Sequence, residues 1–456
     1  MDNKQAALEI GTKPIGKLLM QYALPAIIAM TASSLYNMVD SIFIGHGVGP
    51  LGISGLAITF PFMNLSAAFG AGIGVGSATL LSVKLGQKDY QAAQNILGNT
   101  LVLNIIISIV FTTLSLLFLN PILRFFGASD QTLPYAHDYM QIILLGNMVT
   151  YLYFSLNALL RAAGKPKNAM YATIFTVILN TLLDPLFIWT FDLGIKGAAY
   201  ATVMAQVTAL MWQLYIFSNK NELIHFRKGI YKLKKDLVTN IIAIGISPFS
   251  MNACAALVVI IINTSLVKYG GDMAVGAFGI VNRISFIFVM ITMGVNQGMQ
   301  PIAGYNYGAQ NLDRLMKVLK YAILAATAIM TIGFIIGQCF TNYCVSIFTS
   351  DKTLIDTSVH AMKQVMIMFP IIGYQMVITN FFQSIGMAKI SIFLSLSRQL
   401  LLLIPFLYIL PSYWGLDGIW LSLPASDALS AVIAAGIMVF YMKKFKKQHK
   451  ELTDGK

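Results

Sequence analysis

Apolar positions in this chain come in long runs rather than in the narrow stripes of a soluble helix or the alternation of a half-buried strand. Runs of about 20 apolar residues recur from end to end, each long enough to cross a bilayer as a helix. The punctuation between them, glycine, proline, asparagine and charged residues, predicts twelve helices at 15–44, 52–82, 91–119, 132–162, 167–190, 195–218, 237–267, 273–305, 314–342, 355–385, 390–411 and 416–442. The first run continues past Pro25 to Asp40 without a small-residue cleavage site, so it reads as a span and not as a signal peptide. One segment, 219–236, is basic and poor in apolar residues, and it divides six helices from six. The expected organisation is an N-terminal lobe (1–218), a basic linker (219–236), a C-terminal lobe (237–442) and a basic tail (443–456).

The halves repeat one another. A shift of about 222 residues brings Gly72-Ile73-Gly74-Val75-Gly76 onto Gly294-Val295-Asn296-Gln297-Gly298 and Leu85-Gly86-Gln87 onto Tyr307-Gly308-Ala309. It also brings Arg161-Ala162-Ala163-Gly164 onto Gln383-Ser384-Ile385-Gly386, and Gly194-Ile195-Lys196-Gly197 onto Gly415-Leu416-Asp417-Gly418. Each half holds an even number of helices, so both enter the membrane from one side and the repeats are parallel. The fold class that follows is an all-α polytopic membrane protein with two pseudo-symmetric six-helix lobes. A cleft between two such lobes suits alternating access better than a passive channel.

Composition agrees with this picture and narrows it. The 456 residues are 57% hydrophobic and only 11% charged, against roughly 25% charged in soluble domains, which excludes a soluble enzyme and a disordered scaffold. A net charge of +13 would suggest nucleic acid in a soluble protein, but the positions of the charges argue otherwise. Of 31 Lys and Arg, 24 fall at the termini or in loops following even-numbered helices, which is the positive-inside signature and puts both termini in the cytoplasm. The three cysteines (Cys254, Cys339, Cys344) have no metal-ligand spacing and read as inert buried thiols, and the five histidines are scattered, so no metal and no cofactor are expected.

Polar residues inside the apolar runs carry the candidate chemistry. Of 18 acids only Asp40, Asp184 and Asp427 fall well inside predicted helices, where a charge costs about 2.5–3.5 kcal/mol on insertion scales. Helical spacing puts Ser33, Tyr36 and Asn37 on the Asp40 face, stacks Asn180 on Asp184, and stacks Thr202 on Gln206. Two carboxylates, an amide oxygen and a hydroxyl form a hard, oxygen-rich set suited to a proton or a sodium ion. Pro185 directly follows Asp184, and Pro25 lies about four turns before Asp40; both are candidate hinges. The C-terminal lobe offers Arg283, Arg398 and Asp427 instead, read as an ion pair of Asp427 with one arginine or as part of the transport path. The run Gly70-Ala71-Gly72-Ile73-Gly74-Val75-Gly76 lies mid-helix with no preceding strand, so it reads as close helix packing and not as a phosphate loop.

Three stretches carry a resemblance to a known family. Leu35-Tyr36-Asn37-Met38-Val39-Asp40-Ser41-Ile42-Phe43-Ile44-Gly45 resembles the first-helix signature of the multidrug and toxic compound extrusion (MATE) family, and Gly298-Met299-Gln300-Pro301-Ile302-Ala303-Gly304-Tyr305-Asn306-Tyr307-Gly308-Ala309 resembles its eighth-helix ending. Arg161-Ala162-Ala163-Gly164-Lys165-Pro166 is similar to its 4–5 loop. The resemblance implies a monomeric twelve-helix antiporter of the cytoplasmic (inner) membrane that expels amphipathic, often cationic drugs and dyes against inward proton or sodium flow. It implies an N-lobe site at Tyr36, Asp40, Tyr139, Asn157, Asn180, Asp184 and Thr202; Tyr139 and Asn157 rest on the resemblance alone. Sodium-coupled relatives carry a glutamate in helix 7 and an aspartate in helix 10. Here helix 7 reads Met251-Asn252-Ala253-Cys254-Ala255-Ala256 and helix 10 has no acid between Met362 and Lys389, which favours protons and points to the MepA/DinF-like branch.

Two rival readings are weaker. A flippase for a lipid-linked oligosaccharide would want a basic cavity for pyrophosphate, and only Arg283 and Arg398 could serve. A membrane-embedded enzyme would want paired metal ligands or a nucleophile beside a base, and no helix carries either.

Overall fold

The computed structural model describes residues 9–454, apart from the side chains of residues 36–38, 41, 45, 50, 446 and 448–454. The N-terminal lobe is built from α1 (Ile15–Val48), α2 (Pro50–Gly86), α3 (Tyr90–Leu117), the short α4 (Leu119–Phe125), α5 (Leu133–Leu145), α6 (Asn147–Ala162), α7 (Pro166–Pro185) and α8 (Gly194–Ser218). The C-terminal lobe follows as α9 (Lys235–Gly308), α10 (Leu312–Cys339), α11 (Thr341–Ser346), α12 (Lys352–Val365), α13 (Phe369–Ser384), α14 (Ala388–Leu396) and α15 (Ile404–Asp454).

Two of these helices are too long for one crossing. At 1.5 Å per residue, the 74 residues of α9 would span more than three times a hydrocarbon core of about 30 Å. Its backbone breaks at Gly271 (φ 63°), and α15 breaks likewise at Gly415 (φ 54°), so each supplies two segments. Residues predicted as short loops between helices 7 and 8 and between helices 11 and 12 are thus single-glycine corners. The fourth predicted helix is instead two, α5 and α6, meeting at 55° over Gly146, whose Cα faces Val203. The tenth is likewise α12 and α13 joined by one 3-10 turn, and the last runs past the predicted end at 442 to Asp454. Counted at their breaks, with α5–α6 as a bent unit and α12–α13 as one continuous unit, the segments make twelve spans.

The duplication is visible in the backbone itself. Left-handed residues pair off 222 positions apart: Gly49 with Gly271, Lys88 with Gln310, and Gly164 with Gly386. Gly194 pairs with Gly415 at a shift of 221. After the second of these corners the next helix is capped in both lobes by a side chain, Asp89 accepting from Ala92 N–H and Asn311 from Arg314 N–H.

The lobes meet where small residues let backbones touch. In the glycine run of α2, Gly70 and Gly74 lie against Tyr151 and Ser155 of α6, while Gly72 and Gly76 lie against Gly245 and Ile241 of the other lobe. Gly294 and Gly298 back onto Ile27 and Ala23 of α1, and Gly86 and Gly308 sit on the backbone oxygens of Tyr305 and Val83. Arg314 adds a latch, donating from Nη2 to the carbonyls of Ile10 and Lys13. The 219–236 linker is strapped to the N-terminal lobe: Asn99 donates to the carbonyls of Ile230 and Lys232, and its Oδ1 accepts from Lys234 N–H. Ile224 and Ile230 are buried beneath the strap, and Glu222 pairs with Lys165. None of the three cysteines is fully buried, for Cys339 is exposed and Cys254 and Cys344 are partly so, which corrects the expectation of buried thiols.

Candidate functional site

The N-terminal lobe encloses a cavity of about 250 Å³ among α1, α2, α5, α6, α7 and α8. Its polar lining comes from helix faces that the sequence pattern accounts for. Along α7, Thr173, Thr176 and Asn180 recur at intervals of three and four and so share one side of the helix, with Asp184 a turn further on. From α8 come Thr202 and Gln206, from α1 Ser33 and Asp40, and from α5 Tyr139.

The two acids are the centre of this arrangement. Asp40 and Asp184 are both buried, and their carboxyl groups lie within hydrogen-bonding reach of each other across α1 and α7. Asn180 Nδ2 donates to Asp184 Oδ1 at 2.7 Å, while Asp40 Oδ1 and Asp184 Oδ2 are buried without a hydrogen-bond donor. Two carboxylates held together away from water repel strongly, and each unsatisfied oxygen adds a desolvation cost. The arrangement is therefore complete only with a shared proton or a bound cation. Pro185, which lacks an N–H, ends the regular part of α7, and the chain continues as a π-helical turn over Leu186–Thr190. α1, by contrast, runs unbroken through Pro25.

The other predicted residues separate into three groups. Tyr139 is buried in the cavity wall, within hydrogen-bonding reach of Thr202. Gln206 accepts from Thr150 Oγ1 at 2.5 Å. Asn157 does not reach the acids: its amide donates to Ala169 O and Thr173 Oγ1, and its oxygen accepts from Arg161. It braces α6 against α7 below the cavity. The Tyr36 and Asn37 side chains lie outside the described residues. Ser33, Asn64, Asn147, Thr150, Thr173 and Thr176 also line the cavity. Of these, spacing singles out Ser33 alone; the 173–176–180–184 series is the signal that could have added two more.

In the C-terminal lobe Arg398 Nε donates to Asp427 Oδ1 at 2.6 Å, so the predicted pair forms with Arg398 and not with Arg283, which is exposed. No group of His, Cys, Asp and Glu suited to a metal occurs among the described residues.

The sequence pattern of the MatE family matches residues 25–186 and again 248–409, one copy per lobe. The chain belongs to the MatE family. It is similar over 97% of its length, at 27% identity, to the multidrug export protein MepA of Staphylococcus aureus (strain N315), 97% of which is covered. It is 35% identical to the MATE multidrug transporter DinF-BH, with a TM-score of 0.87 over 94% of this chain and 96% of that one. An outward-facing MATE transporter of the MOP superfamily shares the fold at a TM-score of 0.91 and 23% identity, over 98% and 99% of the two chains. The MatE chain is accordingly a polytopic membrane transporter and not an enzyme.

Proposed function

We propose that this MatE protein is an antiporter that exports amphipathic, often cationic drugs and dyes in exchange for protons or sodium ions, protons being the favoured ion. The observation that carries this reading is the approach of two buried carboxyl groups, each with an unsatisfied oxygen, one of which, Asp40, lines a cavity. Asp40, Asn180, Asp184 and Thr202 form the coupling site, with Tyr139 and Gln206 in support. At about 250 Å³ the cavity is smaller than a drug pocket, commonly about 300–1,000 Å³. A drug would therefore extend from it into the space between the lobes.

In the cycle, a proton or sodium ion arriving from outside neutralises the acid pair. The repulsion between the two carboxylates is relieved, α1 bends near Pro25, the cavity narrows and the drug leaves. Release of the ion to the inside restores the negative site, which attracts the next cation. Ion and drug compete, so each lowers the affinity for the other. The charge asymmetry of the loops supports a cytoplasmic-membrane location with both termini inside, and the single-chain duplication supports a working monomer.

The test is efflux of ethidium from proteoliposomes under separately imposed proton and sodium gradients, with Asp40→Asn alongside. Efflux driven by one gradient and lost in the variant is expected. An Asp40→Asn protein that keeps parental, gradient-dependent efflux would overturn the mechanism. Folded protein with no efflux under either gradient would move the assignment to lipid-linked oligosaccharide flipping.

A further inference from the structure

The Arg398–Asp427 pair is built into the C-terminal lobe at a place that its twin identifies. The lobes share register at Gly194 and Gly415, both left-handed, and the same shift of 221 carries Gln206 onto Asp427. Arg398 falls on Thr176 or Val177 at shifts of 222 or 221. Gln206, Thr176 and Val177 all line the N-terminal cavity. The arginine and its acid therefore stand where the C-terminal lobe repeats that cavity wall.

The pair leaves much of the guanidinium unused. Asp427 is buried (5% exposed) whereas Arg398 is about a third exposed (31%), and Nε makes the one hydrogen bond seen from this side chain among the described residues. Here the acid grips the Nε edge and fixes the plane, leaving the Nη1 and Nη2 donors open. Arginine donors in a fixed fork match a carboxylate geometrically. Arg398 also lies at the start of the π-helical segment Ser397–Leu403, a departure from α-helix that often marks functional sites. Ser397 and Gln399 flank it, and an apolar run, Leu400 to Phe406, follows.

We infer that Arg398, oriented by Asp427, is a carboxylate-binding site in the C-terminal lobe, fitted to the acid group of an aromatic zwitterion whose cationic end the N-terminal acids attract. This rests on the reading of the chain as a drug exporter and adds a second, oppositely charged determinant of what it accepts.

The test uses the full-length protein in detergent and two fluorescent dyes with the same ring system, rhodamine 110, a free carboxylic acid, and rhodamine 123, its methyl ester. Binding is read by fluorescence anisotropy without any ion gradient, so it is independent of coupling. Arg398→Gln combined with Asp427→Asn removes both charges together and strands neither. A charge-assisted bond of the strength usual for arginine predicts a loss of about tenfold in affinity for the acid dye. The ester should shift by less than about twofold, which also certifies the folded site. Arg398→Lys, which keeps the charge and loses the fork, should fall between. Equal weakening of both dyes, or no change in either, overturns the inference. Failure of the parent protein to bind either dye overturns the exporter reading with it.

Discussion

The two lobes have one backbone plan and opposite chemistry. They share left-handed corners, capped helices and a π-helical turn in the fifth helix of each, yet their polar residues are placed for different work. The N-terminal lobe sets Asp40 against Asp184, two charges of one sign with oxygens left unsatisfied. At the shifts that relate the lobes, Asp40 falls on Ile262 and Thr202 on Leu423, while Gln206 falls on Asp427, whose charge is already met by Arg398. One lobe holds two like charges whose repulsion, on the function proposed above, an exchangeable ion relieves. The other pairs its buried acid with an arginine. On the proposed reading, duplication supplies the frame for alternating access, and divergence has left a pair of facing buried acids, among the described residues, in one lobe only.

The largest effect should come from the unsatisfied pair. Asp40→Asn and Asp184→Asn are each expected to lower gradient-driven ethidium efflux by about a hundredfold or more, and the double variant should be little worse, because groups acting as a unit are not additive. Independent, multiplying losses would show that the acids work separately. Next is the satisfied pair. Arg398→Met strands a buried carboxylate and should cost about 3 kcal/mol, visible as a lower unfolding temperature in detergent, while Arg398→Met with Asp427→Leu should recover most of it. A single variant as stable as the parent would mean that the pair contributes nothing to the fold.

Smaller effects are expected where the lobes touch. A side chain at Gly76 or Gly308 would strike the backbone of Ile241 or Val83, so Gly76→Leu should prevent the lobes from closing and lower turnover by roughly tenfold. Labelling of a cysteine placed at Ala23 would report the opened end, and unchanged labelling would contradict the packing argument. Smallest is the strap: Asn99→Ala removes three hydrogen bonds to the linker and should cost about 1–3 kcal/mol. Hydrogen exchange over 219–236 should quicken, and protection equal to the parent's would show that burial of Ile224 and Ile230 suffices.

How much of this is legible in the sequence depends on cost. A carboxylate inside an apolar helix is expensive, so Asp40, Asp184 and Asp427 stand out, and spacing draws Asn180, Thr202 and Gln206 in with them. Thr150, Thr173 and Thr176 cost little, because each hydroxyl can return its hydrogen bond to a carbonyl one turn back. Only their spacing with Asn180 and Asp184 marks Thr173 and Thr176 as cavity residues, and nothing in the sequence marks Thr150. Asn157 is a site residue by resemblance, and its actual partners, Ala169, Thr173 and Arg161, become known only once α6 and α7 are packed. The repeat, the twelve spans and the basic linker are readable from apolar runs and glycines. The bend at Gly146 is not, for no proline announces it, and Val203, which leaves no room for a side chain there, lies on a distant helix.

The strap has a mechanical consequence. Because Asn99 grips Lys234 and α9 begins at Lys235, almost no slack separates the anchored tether from the first helix of the second lobe. The lobes are joined as by a pin set close to one edge. Sliding apart would tear the tether from its seat, whereas swinging about that edge strains it least. The covalent join thus sets the axis of motion as well as linking the halves.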